Sequence, residues 1–225
     1  MRRVFLVSAL VAMLALAANA GVVTLTFEGL QTGEEVLNYY NGGLGGSGSG
    51  PGPSYGITFG VDSLAIISAA SGGGGNFDGN PSGDTILYFL SGSGDLMDVA
   101  AGFNTGFSFY YSAPSYAGSV TVYSGLDGTG SVLATLALPL TPDGHSYGAP
   151  CSGSYDYCPW VPVGVTFSGT AESVLFSGSA NYIGFDNVTL GASIPGGGST
   201  PEPGAFSLLG LGLASLVMYA RRKKA

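Results

Sequence analysis

One histidine occurs in the 225 residues, His145, and it stands in the stretch TPDGHSYGAPC close to Asp143 and Ser146. Serine, histidine and aspartate are the parts of a hydrolytic triad, where the ring takes the serine proton and the carboxylate orients the ring. Residues this close along one turn do not reach that geometry, which is defined by spatial roles and not by adjacency. The sequence therefore predicts a loop histidine in solvent and no catalytic residue. With a single histidine the chain also has no H-E-x-x-H zinc signature. Cys151 and Cys158 lie nearby with six residues between them, flanked by Pro150 and Pro159. In an exported chain such a pair most simply forms a disulfide, whereas zinc would need two more ligands and His145 alone does not complete a set.

Charge narrows the chemistry further. The six Lys and Arg are Arg2, Arg3, Arg221, Arg222, Lys223 and Lys224, so the stretch from Gly21 to Pro203 has no basic side chain except His145, while it holds all fourteen Asp and Glu, Glu202 among them. A chain that formally reads −8 thus carries about −14 between Gly21 and Pro203. Such a body repels a phosphate backbone, which excludes nucleic acid as a partner. A phosphate-cradling loop is excluded as well, because neither glycine-rich loop carries the G-x-x-x-x-G-K-[ST] pattern and the body has no lysine to complete one. The acidic surplus points instead to hard cations.

The elements that must position these residues are strands. Apolar residues recur mostly at period two, and no stretch of the body sustains a helical repeat beyond two turns. Strands are expected near residues 22–28, 36–40, 55–61, 64–68, 85–90, 97–100, 107–111, 119–123, 132–138, 161–168, 173–177 and 182–190, with Gly, Ser, Asn and Asp clusters between them. Many short strands with glycine-rich turns make an all-β sandwich or barrel. Two loops stand out, residues 42–53 (GGLGGSGSGPGP) and 71–83 (SGGGGNFDGNPSG). They read either as mobile surface loops or as a pair bordering a ligand groove. On the second reading Tyr39, Tyr40 and Tyr55, with Phe77 nearby, would offer flat rings to sugars, although thirteen tyrosines make such proximity common.

Both ends carry addresses. Residues 1–20 comprise a short basic region, an apolar run and Ala18-Asn19-Ala20, the layout of a cleavable signal peptide, so the export translocon and signal peptidase are expected partners. At the other end Pro201-Glu202-Pro203 precedes sixteen uncharged residues, 205–220, and then Arg221-Arg222-Lys223-Lys224. Sixteen helical residues span about 24 Å of a roughly 30 Å hydrocarbon core, a short transmembrane anchor whose basic end stays in the cytoplasm. The expected organisation is a signal peptide (1–20), a β-sandwich domain (21–192), a Gly/Ser linker (193–200) and a sorting signal (201–225).

The tail TPEPGAFSLLGLGLASLVMYARRKKA resembles the PEP-CTERM sorting signal of Gram-negative bacteria. That resemblance implies recognition at Pro201, Glu202 and Pro203 by an exosortase-type membrane protease. It also implies transport across the inner membrane, transient anchoring, and a destination in the cell envelope or an exopolysaccharide matrix. The body has its own likeness: the early Thr26-Phe27-Glu28-Gly29 and the late Phe185-Asp186-Asn187-Val188 resemble segments of galactose-binding-like, carbohydrate-binding jelly rolls. In such folds the first and last strands often lie side by side. The resemblance implies Glu28 and Asp186 as ligands of a structural calcium, with backbone carbonyls completing its six to eight oxygens. The other reading puts Asp186-Asn187 at a bend in a β-bulge with Glu28 facing water. The body is thus expected to be a non-enzymatic, jelly-roll-like sandwich that binds calcium and polysaccharide through acidic and hydroxyl-rich faces, or else a dedicated carbohydrate-binding module; a hydrolase is a third and weaker reading.

Overall fold

The computed structural model describes residues 21–92 and 94–197; the expected signal peptide and the sorting tail with Pro201, Glu202 and Pro203 lie outside them. Twelve strands form two antiparallel sheets. The seven-stranded sheet holds β1 (Val23–Leu25), β2 (Glu34–Glu35), β4 (Leu64–Ile67), β5 (Thr85–Tyr88), β7 (Gly106–Ser112), β10 (Val161–Thr166) and β12 (Gly184–Leu190). The five-stranded sheet runs in the order β3 (Ile57–Phe59), β6 (Gly94–Phe103), β11 (Ala171–Ser177), β8 (Gly118–Tyr123) and β9 (Val132–Leu138). Among the described residues helix is confined to two short turns, at Ala69–Ser71 and Gly144–Tyr147, and none is long and apolar enough to cross a membrane.

Period-two alternation explains the layers. In β7, Phe107, Phe109 and Tyr111 face inward to the core, where they meet Phe176 of β11 and Phe185 of β12. The first and last strands do pair, Val23 opposite Leu190, Thr24 opposite Thr189 and Leu25 opposite Val188. A register shift between Asp186 and Thr189, with Asn187 at φ 50°, makes the bulge that ends regular pairing with β7.

One expected strand is absent. Residues 36–40 form turns, because Leu37 adopts φ 43° and Tyr39 N–H bonds back to Val36 O at 3.0 Å; the pairing residues are Glu34 and Glu35 instead. Glu34 organises the first glycine-rich loop. Its carboxylate accepts N–H groups from Gln31 (2.8 Å), Ser47 (2.9 Å) and Ser49 (3.0 Å). Burial would raise its pKa, but these donors outweigh burial and hold it below the usual value. Gly45 closes over the carboxylate, since a Cβ there would meet Glu34 Oε1, and Glu34 is only 1% exposed. Glu34→Ala is expected to cost about 2 kcal/mol and to speed amide exchange at Ser47 and Ser49 above all; unchanged exchange there would remove this role from Glu34.

Candidate functional site

The outer face of the seven-stranded sheet is covered by two loops. Residues 72–84 and the disulfide-closed segment 144–160 lie against it, joined by the parallel bridge of Phe77 with Tyr157 and by Asn76 Nδ2 donating to Asp156 Oδ2 at 2.8 Å. Beneath them Phe77, Ile86 and Trp160 make a small second core, with Trp160 Nε1–H donating to Asp78 O at 2.9 Å. Gly184 permits it, since a Cβ there would stand 3.0 Å from the Trp160 ring. Cys151 and Cys158 form the expected disulfide, their Cα atoms 5.7 Å apart, and Ser152 N–H donates to Asp78 Oδ2 at 2.8 Å.

Between these loops opens a pocket of about 270 Å³. Its walls include Phe77, Tyr88, Tyr157 and Tyr182, and its polar groups are Asn76, Asp156 and Asn181. Tyr182 is exposed and stacks edge-on against exposed Tyr116, ring centroids 4.6 Å apart. Tyr157 donates its hydroxyl to Asn181 O at 3.0 Å, and burial, reinforced by the charge of Asp156, pushes its pKa up to about 12, so it remains a neutral donor. Aromatic walls with a few convergent hydrogen-bonding groups are the equipment of a small-ligand site.

The tyrosines expected to stack on sugars lie elsewhere and two are unavailable. Tyr39 and Tyr40 are buried, 9% and 3% exposed, and only Tyr55 presents a ring to solvent, stacked on Tyr40 at 6.3 Å. Their hydroxyls instead secure the segment bearing Glu28: Tyr39 donates to Glu28 O at 2.9 Å, and Tyr40 accepts Phe27 N–H at 2.6 Å.

Glu28 and Asp186 are drawn to one stretch of chain, residues 80–85. Glu28 Oε1 accepts the N–H groups of Asp84 (3.0 Å) and Thr85 (2.8 Å). Asp186, fully buried, accepts Ser82 N–H (2.9 Å) and Asn80 Nδ2 (3.3 Å) on Oδ2, and Ser82 Oγ (2.6 Å) and Asn187 N–H (2.6 Å) on Oδ1. Burial raises the Asp186 pKa to about 6 against the opposing pull of these donors. Asn80 Nδ2 also reaches Ser82 O (2.6 Å) and Gly83 O (3.3 Å), so three oxygens gather at one amide. Glu28 is exposed and Asp186-Asn187 lies at the bulge, as the second of the two expected arrangements has it, while the carboxylates and carbonyls are oxygen donors of the kind calcium takes.

His145 does not enter a triad. Its Nδ1 lies 3.1 Å from Asp143 Oδ1 and 3.0 Å from Asp156 Oδ1, while Ser146 donates to Asp143 O at 3.1 Å and not to the ring. The spacing Gly52-x-Ser54-x-Gly56 matches that of a nucleophile elbow, yet Ser54 sits in an exposed loop before β3, bridged to Asn41, and not at a strand-to-helix turn. Neither serine has a histidine partner among the described residues.

The fold and its sites define an acidic all-β sandwich with a loop-covered face. Residues 199–224 match the PEP-CTERM protein-sorting motif. That motif implies an exported protein, membrane-anchored and then surface-associated, with an exosortase-type processing partner. No curated relative matches the sequence at a significant level. Among solved structures the chain is similar to the K2 cleaved adhesin domain of Lys-gingipain, at 16% identity over 76% of this chain and 98% of that one, TM-score 0.47. It is also similar to a carbohydrate binding module from Cellvibrio mixtus lichenase 5A in complex with cellotriose, at 14% identity over 57% and 85%, TM-score 0.34. A glycoside hydrolase family 43 arabinoxylan arabinofuranohydrolase from Bacillus subtilis is similar at 18% identity over 57% of this chain, TM-score 0.36; the chain spans 24% of that enzyme's length.

Proposed function

We propose that this is a non-enzymatic surface or extracellular-matrix protein, delivered through the export translocon, trimmed by signal peptidase, cleaved at Pro201-Glu202-Pro203 by an exosortase-type protease, and retained with exopolysaccharide. The observation that carries the reading is the sorting motif at residues 199–224. Replacing Pro201, Glu202 and Pro203 together by alanine is the test of sorting. The variant should stay in the membrane fraction with its basic tail attached, and normal release of a shortened chain would remove the motif's role.

In the body, Glu28, Asp186 and the carbonyls of Ser82 and Gly83 would hold a calcium ion. The ion would supply positive charge to a buried carboxylate in a region without Lys or Arg. Its part is structural, pinning residues 80–85 to the first and last strands.

The pocket favours a second reading, a dedicated carbohydrate-binding module, since Tyr157, Tyr182, Asn76 and Asp156 offer rings and hydrogen bonds together. On that reading Tyr157→Ala with Tyr182→Ala lowers affinity for isolated exopolysaccharide at least about tenfold, or some 1.4 kcal/mol, in a calorimetric titration. Equal binding by wild type and variant would move the polysaccharide contact off the pocket.

A further inference from the structure

The pocket between the two loops commits much of its donor capacity to the protein and keeps acceptors for a ligand. Tyr157 gives its hydroxyl hydrogen to Asn181 O at 3.0 Å, and one Asn76 amide hydrogen is spent on Asp156 Oδ2 at 2.8 Å. The Tyr157 oxygen and the Asp156 carboxylate retain lone pairs. Asp156 Oδ1 lies 3.0 Å from His145 Nδ1, but the same ring nitrogen stands 3.1 Å from Asp143 Oδ1. Two carboxylates thus share one imidazole, and even a protonated ring leaves the cluster with a net negative charge. No Lys or Arg occurs among the described residues to cancel it.

Tyr88 adds an independent observation. It ends β5, lines the pocket and is only 8% exposed, yet its hydroxyl bonds no described residue. Ile86, two residues before it and on the same face of the strand, packs with Phe77 and Trp160 beneath the loops, so the Tyr88 ring stands on the outer, pocket side of the sheet. Burial pushes its pKa up with no hydrogen bond contributing, so the hydroxyl stays neutral. A buried phenol normally has a hydrogen-bond partner, and what can reach this one enters through the pocket.

Ligand chemistries separate on these grounds. A uronate, sulfate or phosphate group would bring negative charge to a carboxylate with no cation to answer it. A neutral sugar would stack on Tyr157 and Tyr182 but leave the charge of Asp156 unanswered. A protonated amine brings charge and three N–H donors together, and tyrosine faces attract it as well. Tyr182 widens that face, since its ring packs edge-on against Tyr116 at 4.6 Å and both are exposed. We propose that the pocket selects sugars bearing a free amine, the glucosamine-type residues of a polysaccharide, with Asp156 as the anionic contact, Tyr157 and Tyr182 as the ring surface and the Tyr88 hydroxyl as a further partner. The proposal rests on the carbohydrate-binding reading of the pocket and adds which sugars it takes. On this account the protein settles on a deacetylated, cationic polymer and stays off an acidic one, in keeping with the charge of about −14 between Gly21 and Pro203.

The test is calorimetric titration of the full chain in detergent, at mildly acidic pH and physiological salt, with a short glucosamine oligosaccharide, its N-acetylated counterpart and a galacturonate oligosaccharide. The free-amine sugar should bind at least about tenfold tighter than the N-acetylated one, and the galacturonate should not bind. Asp156→Asn should remove that preference, whereas Glu172→Gln, which takes the same charge from the other sheet, should keep it. Tyr88→Phe retains the ring and should weaken the free-amine sugar at least about threefold; unchanged affinity there would remove the hydroxyl from the site. Binding of the N-acetylated sugar or the galacturonate as tightly as the free-amine sugar overturns the amine preference. Equal losses in Asp156→Asn and Glu172→Gln would trace the preference to the charge of the whole surface and overturn its assignment to the pocket. If no glucosamine sugar binds while exopolysaccharide still binds through Tyr157 and Tyr182, this proposal falls and the carbohydrate reading stands; if neither binds, both fall. The comparison of sugars needs the wild-type chain alone, so it decides even where a variant fails to fold.

Discussion

Chelating calcium at about pH 7.5 is expected to lower the melting temperature by about 5–10 °C, and acidification to about pH 5 is expected to erase the difference. The size follows from an ion present at about a hundredfold over its Kd, which contributes about 2.7 kcal/mol, and from the roughly 2–4 °C that each kcal/mol moves a domain of this size. The pH dependence follows from Asp186. Its carboxyl is raised in the fold from 3.8 to about 6, chiefly by burial, so the folded state holds the proton more tightly than the unfolded chain. Without calcium the ionised carboxylate therefore costs on the order of 3 kcal/mol above about pH 6, and stability rises as pH falls from about 6 toward 4. Asp95, raised in the same direction, adds to that trend. Glu34 has the opposite sign: its folded pKa is depressed, so its contribution is present above its unfolded value of 4.5 and is lost as pH falls through the folded one. The calcium-free protein should accordingly be most stable near about pH 4–5, and the calcium-loaded protein nearer neutrality. Thermal melts across pH with and without chelator check both curves; melting temperatures that coincide at neutral pH would remove calcium from the structure's stability.

Phe176→Ala is expected to destabilise the sandwich by about 3–5 kcal/mol. Phe176 leaves the five-stranded sheet and meets three rings of the other: Phe185 at 4.9 Å, Phe109 at 5.8 Å and Phe107 at 5.9 Å between centroids. Each pair is edge-to-face or near it, which adds to the area each ring removes from water. The hole left by Phe176 is bounded by backbone of paired strands on both sides, so it cannot close by a small shift. Denaturant unfolding of the variant checks the magnitude, and Phe176→Leu should recover more than half of the loss. A loss below about 1 kcal/mol for Phe176→Ala would mean that the four rings do not form one cluster.

The strand framework was legible because alternation survives in short segments: Phe107, Phe109 and Tyr111 are in phase, as are Val120 and Val122. The pairing of β1 with β12 was foreseen from the likeness of the Glu28 and Asp186 segments to jelly rolls. Residues 36–40 misled because their apolar spacing suits a strand while Leu37 takes a positive φ and the tyrosine hydroxyls reach back to Phe27 and Glu28. The pocket was legible only in the loop 71–83 and Phe77, which line it as a groove-bordering loop would. Its walls come from residues 74–77, 156–157 and 181–184, which only loop packing brings together. Asp95 breaks the alternation of β6, a carboxylate in phase with Met97 and Val99 on a strand whose inward positions are otherwise apolar.

Mass spectrometry of the protein isolated from its native envelope tests the central claim most directly, because it reads both ends of the chain at once. A mature chain beginning at Gly21 and ending at or next to Pro201-Glu202-Pro203, without Arg221-Arg222-Lys223-Lys224, is the predicted result. A chain recovered from the surface that still ends at Ala225 with its basic cluster intact would contradict it.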